Sequence, residues 1–209
     1  ILLVYMYGGG WEKVNNVDTV MFDDVVKNAK TGDLIYFHAC DNFNSLKILT
    51  YYTHVGMVVR KEGELYLFEA NAVGGLTLRD HENKKGVYCN LLIPRITKYR
   101  GFIYYMALKN PLTDHQINDL NIFIDYALKN FYYEERILQR ALRQLFASEK
   151  LGHATNCCEL MYLTFIKLGI LKIETLNTKY WNSYMLVAYN SSIESGKYYK
   201  EKKILNYTF

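Results

Sequence analysis

Two adjacent cysteines, Cys157 and Cys158, open the stretch of this chain whose residue types are best suited to chemistry. Asn156, just before them, is a good helix N-cap, and Glu159 stands where a capping box needs a glutamate. Apolar residues then recur at helical spacing as far as Gly169. Cys157 is therefore predicted at the first helical position, where unpaired backbone N–H groups and the helix dipole favour a thiolate. A sulfur in that environment is a good nucleophile, but it still needs a base beside it.

The base is expected on a predicted β-hairpin. Residues 54–60 and 64–70 are strand-like runs separated by a short turn that contains a glycine. If the loop has two residues, Gly56 pairs with Glu69, and residues two apart along a strand share a face. His54 and Glu69 then point to the same side of the sheet, diagonally across from each other, with Gly56 leaving space between them. A loop one residue longer would shift the register and separate them.

The rest of the chain places this hairpin in an antiparallel region that is followed by a helical half. Together these elements predict an α+β fold in a single domain over residues 1–209, with a helical insertion at about 113–148. Strands are expected at 1–7, 33–39, 76–79, 86–93, 101–107 and near the end of the chain, and helices at 22–30, 113–130 and 137–145.

Composition argues against several classes of function. The 209 residues are half apolar, which is enough for one full core. The net charge of +4 is small and the basic residues are scattered, so no nucleic acid partner is expected. The four cysteines show no disulfide framework, which favours a cytoplasmic location. No apolar run approaches transmembrane length, although an upstream segment stays open because the chain does not begin with Met.

Each candidate residue also has a purely structural interpretation. Cys157 could be a buried structural thiol, His54 a half-buried strand histidine, and Glu69 a carboxylate at a solvent-facing edge. Cys158 is the rival nucleophile, but it points about 100° away around the helix and is expected to face the core. His153 could act as a local base, although it is expected in the loop above the helix.

No metal site or other cofactor is expected. The residues that could ligate a metal have erratic spacings and no C-x-x-C pair; they are His38, Cys40, His153, Cys157 and Cys158.

Four ordered motifs resemble a known superfamily. They read T-G-D-L-I-Y-F at 31–37, Y-T-H-V-G-M-V at 52–58, Y-L-F-E-A at 66–70 and N-C-C-E-L at 156–160. This order is similar to the permuted NlpC-type papain-like superfamily, nearest to the YiiX-like bacterial proteins and their poxvirus relatives and more remotely to the lecithin retinol acyltransferase group. In that superfamily a histidine starts a strand, a glutamate follows on the next strand, and a cysteine opens a late helix. The resemblance spans about residues 22–168.

The resemblance implies a circularly permuted papain-like core, in which an antiparallel sheet packs against the helix that carries the cysteine. It implies Cys157 as nucleophile, His54 as base and Glu69 as the partner that orients the imidazole. The oxyanion would be held by the backbone N–H of Cys157 and by a second donor, for which Tyr52 is the candidate substrate-binding residue. Cys158 departs from the pattern, because relatives often have serine at that position.

Three functions follow as expectations. The first is hydrolysis of an amide in a peptide or a lipid-linked amino acid, through an acyl-thioester on a Cys-His-Glu triad. The second is ester hydrolysis or acyl transfer on lipids by the same triad. The third is a non-catalytic binding module, for example a scaffold or virion component that keeps the fold. A peripheral membrane contact, a viral source and the oligomeric state stay open.

Overall fold

The computed structural model describes residues 19–39, 54–71, 86–99, 101–133, 154–170 and 203–206. The expected strands at 1–7 and 76–79 and the expected helix at 137–145 lie outside these ranges. The helices of the described ranges are α1 (Phe22–Asn28), α2 (Leu92–Thr97), α3 (Asp114–Asn130) and α4 (Cys157–Lys167). The strands are β1 (Thr19–Met21), β2 (Leu34–Ala39), β3 (His54–Lys61), β4 (Glu64–Asn71), β5 (Gly86–Leu91), β6 (Gly101–Met106), β7 (Tyr132–Tyr133), β8 (Ala154–Thr155) and β9 (Lys203–Asn206).

One large sheet organises the described part of the chain. Its strand order is β1-β9-β6-β2-β3-β4-β5, and the five strands from β6 to β5 are all antiparallel. Strand β9 extends this region by pairing antiparallel with β6, whereas β1 joins β9 in parallel. With helices packed on the sheet, the α+β class predicted from the sequence is confirmed.

The hairpin of β3 and β4 has the predicted register. Lys61 pairs with Glu64 across a two-residue loop of Glu62 and Gly63. Both loop residues have positive φ, 54° and 84°, which is the geometry of a tight hairpin turn. The pairing is set by this turn, so every later residue of β4 keeps the face that the alternation assigns to it.

Gly56 does not leave the expected gap between His54 and Glu69; its missing side chain makes room for Leu67. A Cβ atom at this position would lie only 2.8 Å from Cγ and Cδ1 of Leu67. The space above Gly56 is therefore filled by the Leu67 side chain, and it is not an opening between the imidazole of His54 and the carboxylate of Glu69.

The strand expected at 86–93 ends at Leu91, and the short helix α2 begins immediately after it. Leu92 and Ile96, one helical turn apart, are both fully buried. Pro94 falls in the first turn, where the missing N–H of proline has no helical partner to lose. The prediction of a longer strand was wrong because an apolar run that contains proline can also begin a helix.

The two faces of the sheet bury different helices. On one face, α3 and α4 pack against the side chains of Val55, Met57 and Phe68. On the other face, α1 and α2 pack against Val58, Leu67 and their neighbours. Because successive strand residues point to opposite faces, His54 and Glu69 belong to the face that carries α2.

Contacts with residues of the α3 region hold both ends of α4. Strand β8, which ends just before α4, pairs in parallel with β7, which follows α3. A capping box formed by Thr113 and Gln116 begins α3. The amide of Gln116 also donates a 2.8 Å hydrogen bond to the carbonyl of Leu168 at the other end of α4.

Asp33 gives the T-G-D motif a structural role. Its buried carboxylate accepts hydrogen bonds from the backbone N–H of Lys30 and of Leu108, both at 2.8 Å, and from the hydroxyl of Tyr105 at 2.6 Å. These bonds join the loop before β2 to strand β6. Gly32, at φ 102°, allows the turn that brings Asp33 there.

Candidate active site

Helix α4 begins with the predicted capping box, which is confirmed. The side-chain oxygen of Asn156 accepts hydrogen bonds from the backbone N–H groups of Cys158 at 2.8 Å and of Glu159 at 3.1 Å. The carboxylate of Glu159 in turn accepts the backbone N–H of Asn156 at 3.2 Å. Cys157 is the first helical residue, and the cap leaves its backbone N–H unused.

His54 and Glu69 form a close pair. The Nε2 atom of His54 lies 2.5 Å from Oε2 of Glu69. The imidazole side chain is 16% exposed and the carboxylate is fully buried, so the pair reaches solvent only through the histidine. Because Nε2 is engaged by the carboxylate, Nδ1 is the ring nitrogen left for a second partner.

The second partner of His54 is Cys157. The sulfur hydrogen-bonds to the imidazole and also accepts the backbone N–H of Val55. Helix α4 packs on the face of the sheet opposite the one to which His54 and Glu69 point. The contact is possible because His54 is the first residue of β3, so its imidazole stands at the end of the strand beside the N-terminus of α4.

Two buried residues that the sequence analysis did not single out hold the carboxylate of Glu69. Arg95 donates from Nε to Oε1 at 2.8 Å and from Nη2 to Oε2 at 3.2 Å. Asn90 donates from Nδ2 to Oε1 at 2.6 Å. The guanidinium of Arg95 also lies over the ring of Phe37, at 4.5 Å from its centre. A sequence signal existed, since an arginine within an apolar run that contains proline calls for a buried partner.

These contacts keep Glu69 ionised. Burial alone would raise the pKa of its carboxyl group, but the hydrogen bond from His54 and the positive charge of Arg95 outweigh burial and lower the pKa from 4.5 to about 2.

The same network favours a charged imidazole and a thiolate. Burial lowers the pKa of His54. The charge of the Cys157 sulfur and the hydrogen bonds to Cys157 and Glu69 outweigh burial and raise this pKa to about 9. A hydrogen bond from Cys158 and the neighbouring imidazolium hold the pKa of Cys157 well below its ordinary value, although burial opposes them. Both shifts favour the pair of a Cys157 thiolate and a His54 imidazolium over the neutral pair.

Cys158 is the neighbour of the nucleophile. Its sulfur lies 3.7 Å from the Cys157 sulfur, and its side chain is buried in the core between α4 and the sheet. Tyr36 is packed in the same core, and burial raises the pKa of its hydroxyl. The expectation that Cys158 faces the core is confirmed.

Other residues considered in the sequence fall outside the described ranges. Tyr52, His153 and Cys40 are among them, so no position is assigned to them. Within the described ranges, no group of three His, Cys, Asp or Glu side chains is arranged to hold a metal ion. Among the helices of those ranges, none has the length and apolarity needed to cross a bilayer.

The fold and the cluster together define an α+β protein with a buried Cys-His-Glu arrangement at the end of a sheet strand. No protein-family model matches the chain, and no curated protein matches it either. Among solved structures, it is similar to the crystal structure of the metalloprotein yiiX from Escherichia coli O157:H7. The two share 20% sequence identity and a TM-score of 0.46 over 84% of this chain and 88% of that chain. Membership of the NlpC-type superfamily stays a prediction.

Proposed function

We propose that this protein is a thiol hydrolase of the permuted papain-like type that cleaves an amide bond in a peptide or a lipid-linked amino acid. The observation that supports the proposal is the imidazole of His54, which contacts the sulfur of Cys157 on one side and the carboxylate of Glu69 on the other. A nucleophile, a base and a group that orients the base are the parts that acyl transfer through a thioester requires.

The reaction starts from the thiolate and the imidazolium. The Cys157 sulfur attacks the carbonyl carbon, a C–S bond forms, and the carbonyl electron pair moves to the oxygen. His54 then gives its Nδ1 proton to the leaving nitrogen as the C–N bond breaks, and the amine departs. The neutral imidazole next takes a proton from water, whose oxygen attacks the thioester. When the acid leaves, the thiolate and the imidazolium are restored.

The negative oxygen of each tetrahedral intermediate needs hydrogen-bond donors. The backbone N–H of Cys157 supplies one, because Asn156 caps the next two N–H groups and leaves this one unused. Asn156 also carries a second donor. Its Nδ2 atom is buried beside the nucleophile and has no partner among the described residues.

The first experiment measures which sulfur reacts with iodoacetamide as a function of pH. Cys157 should be alkylated at about pH 5.5, where an ordinary thiol is almost wholly protonated. Cys89 serves as the internal control, because burial raises the pKa of its thiol to about 12. Peptide mapping by mass spectrometry assigns the modified cysteine. Equal sluggishness of Cys157 and Cys89 at low pH would refute the ion pair and, with it, the proposed chemistry.

The second experiment identifies the acyl substrate. The wild-type protein is screened against libraries of peptide amides, lipid-linked amino acids and lipid esters, with Cys157→Ala and His54→Gln as matched controls. Turnover of an amide that both substitutions abolish is the expected result. Turnover confined to esters would move the assignment to the lipid class, and turnover that survives Cys157→Ala would show that another group reacts. No turnover by a protein whose Cys157 alkylates at low pH would favour the binding module.

A further inference from the structure

Four charged groups follow one another through the interior of the candidate site. In order they are the guanidinium of Arg95, the carboxylate of Glu69, the imidazolium of His54 and the thiolate of Cys157. Their signs alternate, so each inner charge has opposite charges on both sides. The first member is the one that takes no part in the reaction proposed above.

The contact between Arg95 and Glu69 is bidentate. Two nitrogens of the guanidinium meet two oxygens of the carboxylate, at 2.8 and 3.2 Å. Arg95 is 7% exposed and Glu69 is fully buried, so solvent screens the pair weakly. Arginine presents a rigid fork and stays charged at every pH of interest, which suits it to hold a carboxylate ionised and in a fixed orientation.

The orientation decides which oxygen the imidazole meets. Nε of Arg95 and Nδ2 of Asn90 both donate to Oε1, and this leaves Oε2 to receive Nε2 of His54 at 2.5 Å. A carboxylate without these two donors would be free to rotate about its last bond. The pKa of this buried carboxyl would also be higher, because fewer donors would stabilise its ionised form.

Two further titratable side chains of the described residues lie on β5, the strand that pairs with β4. Tyr88 on β5 stands opposite Glu69 in the ladder. The thiol of Cys89, next along β5, stays neutral because burial raises its pKa to about 12. On the helix that covers this face, Arg95 is the charged residue that contacts the carboxylate.

We propose that Arg95 is a positioning residue: by pairing with both oxygens of Glu69 it keeps that carboxylate ionised and aimed at His54, and it thereby extends the reactive Cys157 thiolate to lower pH. Without Arg95, the carboxylate takes up a proton at a higher pH. The imidazolium then loses one of its two anionic partners, and the protonation equilibrium moves toward the neutral thiol and the neutral imidazole. This inference rests on the proposed function, because it concerns the same thiolate.

The test is the pH profile of Cys157 alkylation in Arg95→Met, Glu69→Gln and the double variant, with unfolding by urea measured in parallel. Glu69→Gln leaves the buried charge of Arg95 unpaired, and Arg95→Met leaves the Glu69 carboxylate with His54 as its one charged partner, so each should lower the urea midpoint. The double variant removes both charges and should recover much of that loss. Arg95→Lys keeps a positive charge but loses the fork. Arg60→Met is the control: Arg60 lies on the same strand as His54, about 20 Å further along, and donates to the carbonyl of Ala29 at 3.0 Å.

In Arg95→Met, the acidic limb of the Cys157 profile should move to higher pH, since loss of the opposite charge in contact raises the pKa of the Glu69 carboxyl by about one unit or more. Arg95→Lys should lie between this variant and the wild type, and Arg60→Met should match the wild type. The double variant should keep the poor reactivity of Glu69→Gln even though its stability recovers. That combination separates a role in reactivity from a role in folding.

Two results would overturn the inference. One is an acidic limb that stays in place in Arg95→Met while the wild-type Cys157 reacts at low pH; the proposed function would then stand without it. The other is a double variant that recovers reactivity together with stability, which would mean that Arg95 acts only on the fold. A wild-type Cys157 that does not react at low pH would instead refute the proposed function itself.

Discussion

The substitution Glu69→Gln should cost more stability at neutral pH than in acid, because it removes a buried charge whose partners stay behind. Burial raises the pKa of Glu69, but the hydrogen bond from His54 and the charge of Arg95 bring it from 4.5 down to about 2. A pKa lowered by folding stabilises the protein above the unfolded-state value, and this stabilisation is lost as the pH falls toward the folded-state value.

The magnitude follows from the two pKa values. A fall from 4.5 to about 2 corresponds to about 3 kcal/mol of the free energy of unfolding at neutral pH, of which about 2 kcal/mol has gone at about pH 3. Breaking a buried charge pair by removing one partner costs about 3–5 kcal/mol in other proteins, which is the same order. A domain is typically stable by only about 5–15 kcal/mol, so the loss takes a large share of the total.

Urea unfolding followed by far-UV circular dichroism at about pH 7, 5 and 3 measures this difference. The gap between the wild type and Glu69→Gln should be widest at the two higher values and should narrow by about 2 kcal/mol at the lowest. The matched control is Glu64→Gln, an exposed glutamate at the start of the same strand, which should change stability by less than about 0.5 kcal/mol at every pH. A gap that does not change with pH, or one no larger than that of the control, would refute the account of Glu69 as a buried, ionised group.

Three further predictions concern the sulfur pair, the imidazole and the hairpin. The Cys158 sulfur lies 3.7 Å from the Cys157 sulfur, and Cys158→Ser keeps a hydrogen-bond donor there, so it should preserve the pH profile of Cys157 alkylation. Cys158→Ala removes the donor and should move the profile to higher pH. Identical profiles for the two variants would argue against a hydrogen bond from residue 158 to the Cys157 sulfur. Burial lowers the pKa of His54, but Cys157 and Glu69 raise it to about 9, so amide hydrolysis should fall as the pH rises through about 9, and a rate that continues to climb would argue against an imidazolium acid. In Gly56→Ala a Cβ would lie 2.8 Å from Leu67, so urea unfolding should show a loss of about 1–3 kcal/mol. Combined with Leu67→Ala, that loss should be smaller than the sum of the two single effects.

Local rules were enough to predict much of the site's framework. The capping box at Asn156 and Glu159 satisfies backbone groups within one helical turn, so its residues lie next to one another in sequence. The hairpin register follows from a two-residue turn and the alternation of side chains, and this placed His54 and Glu69 on one face. In each case a few neighbouring residues determine the geometry.

Contacts between distant segments were not predictable in this way. The first two residues of helix α2 were taken for the end of a strand, because an apolar run next to a proline fits either element until its packing is known. Arg95 and Asn90 were missed for a related reason, since an isolated arginine or asparagine in a sequence does not reveal which carboxylate it will meet.

The amino-acid sequence by itself determined where the helix of Cys157 begins, which strands form the hairpin and which residue types could do chemistry, because capping, turns and side-chain alternation act over a few residues. Only the tertiary structure decided that Cys157 meets His54 from the opposite face of the sheet, at the end of β3. It also decided that Glu69 is bound by Arg95, which lies on helix α2. The physical reason is that burial determines how strongly these charged groups interact. A carboxylate, an imidazole and a thiol have ordinary pKa values in water, and contacts among them shift those pKa values strongly only when the folded core excludes the solvent.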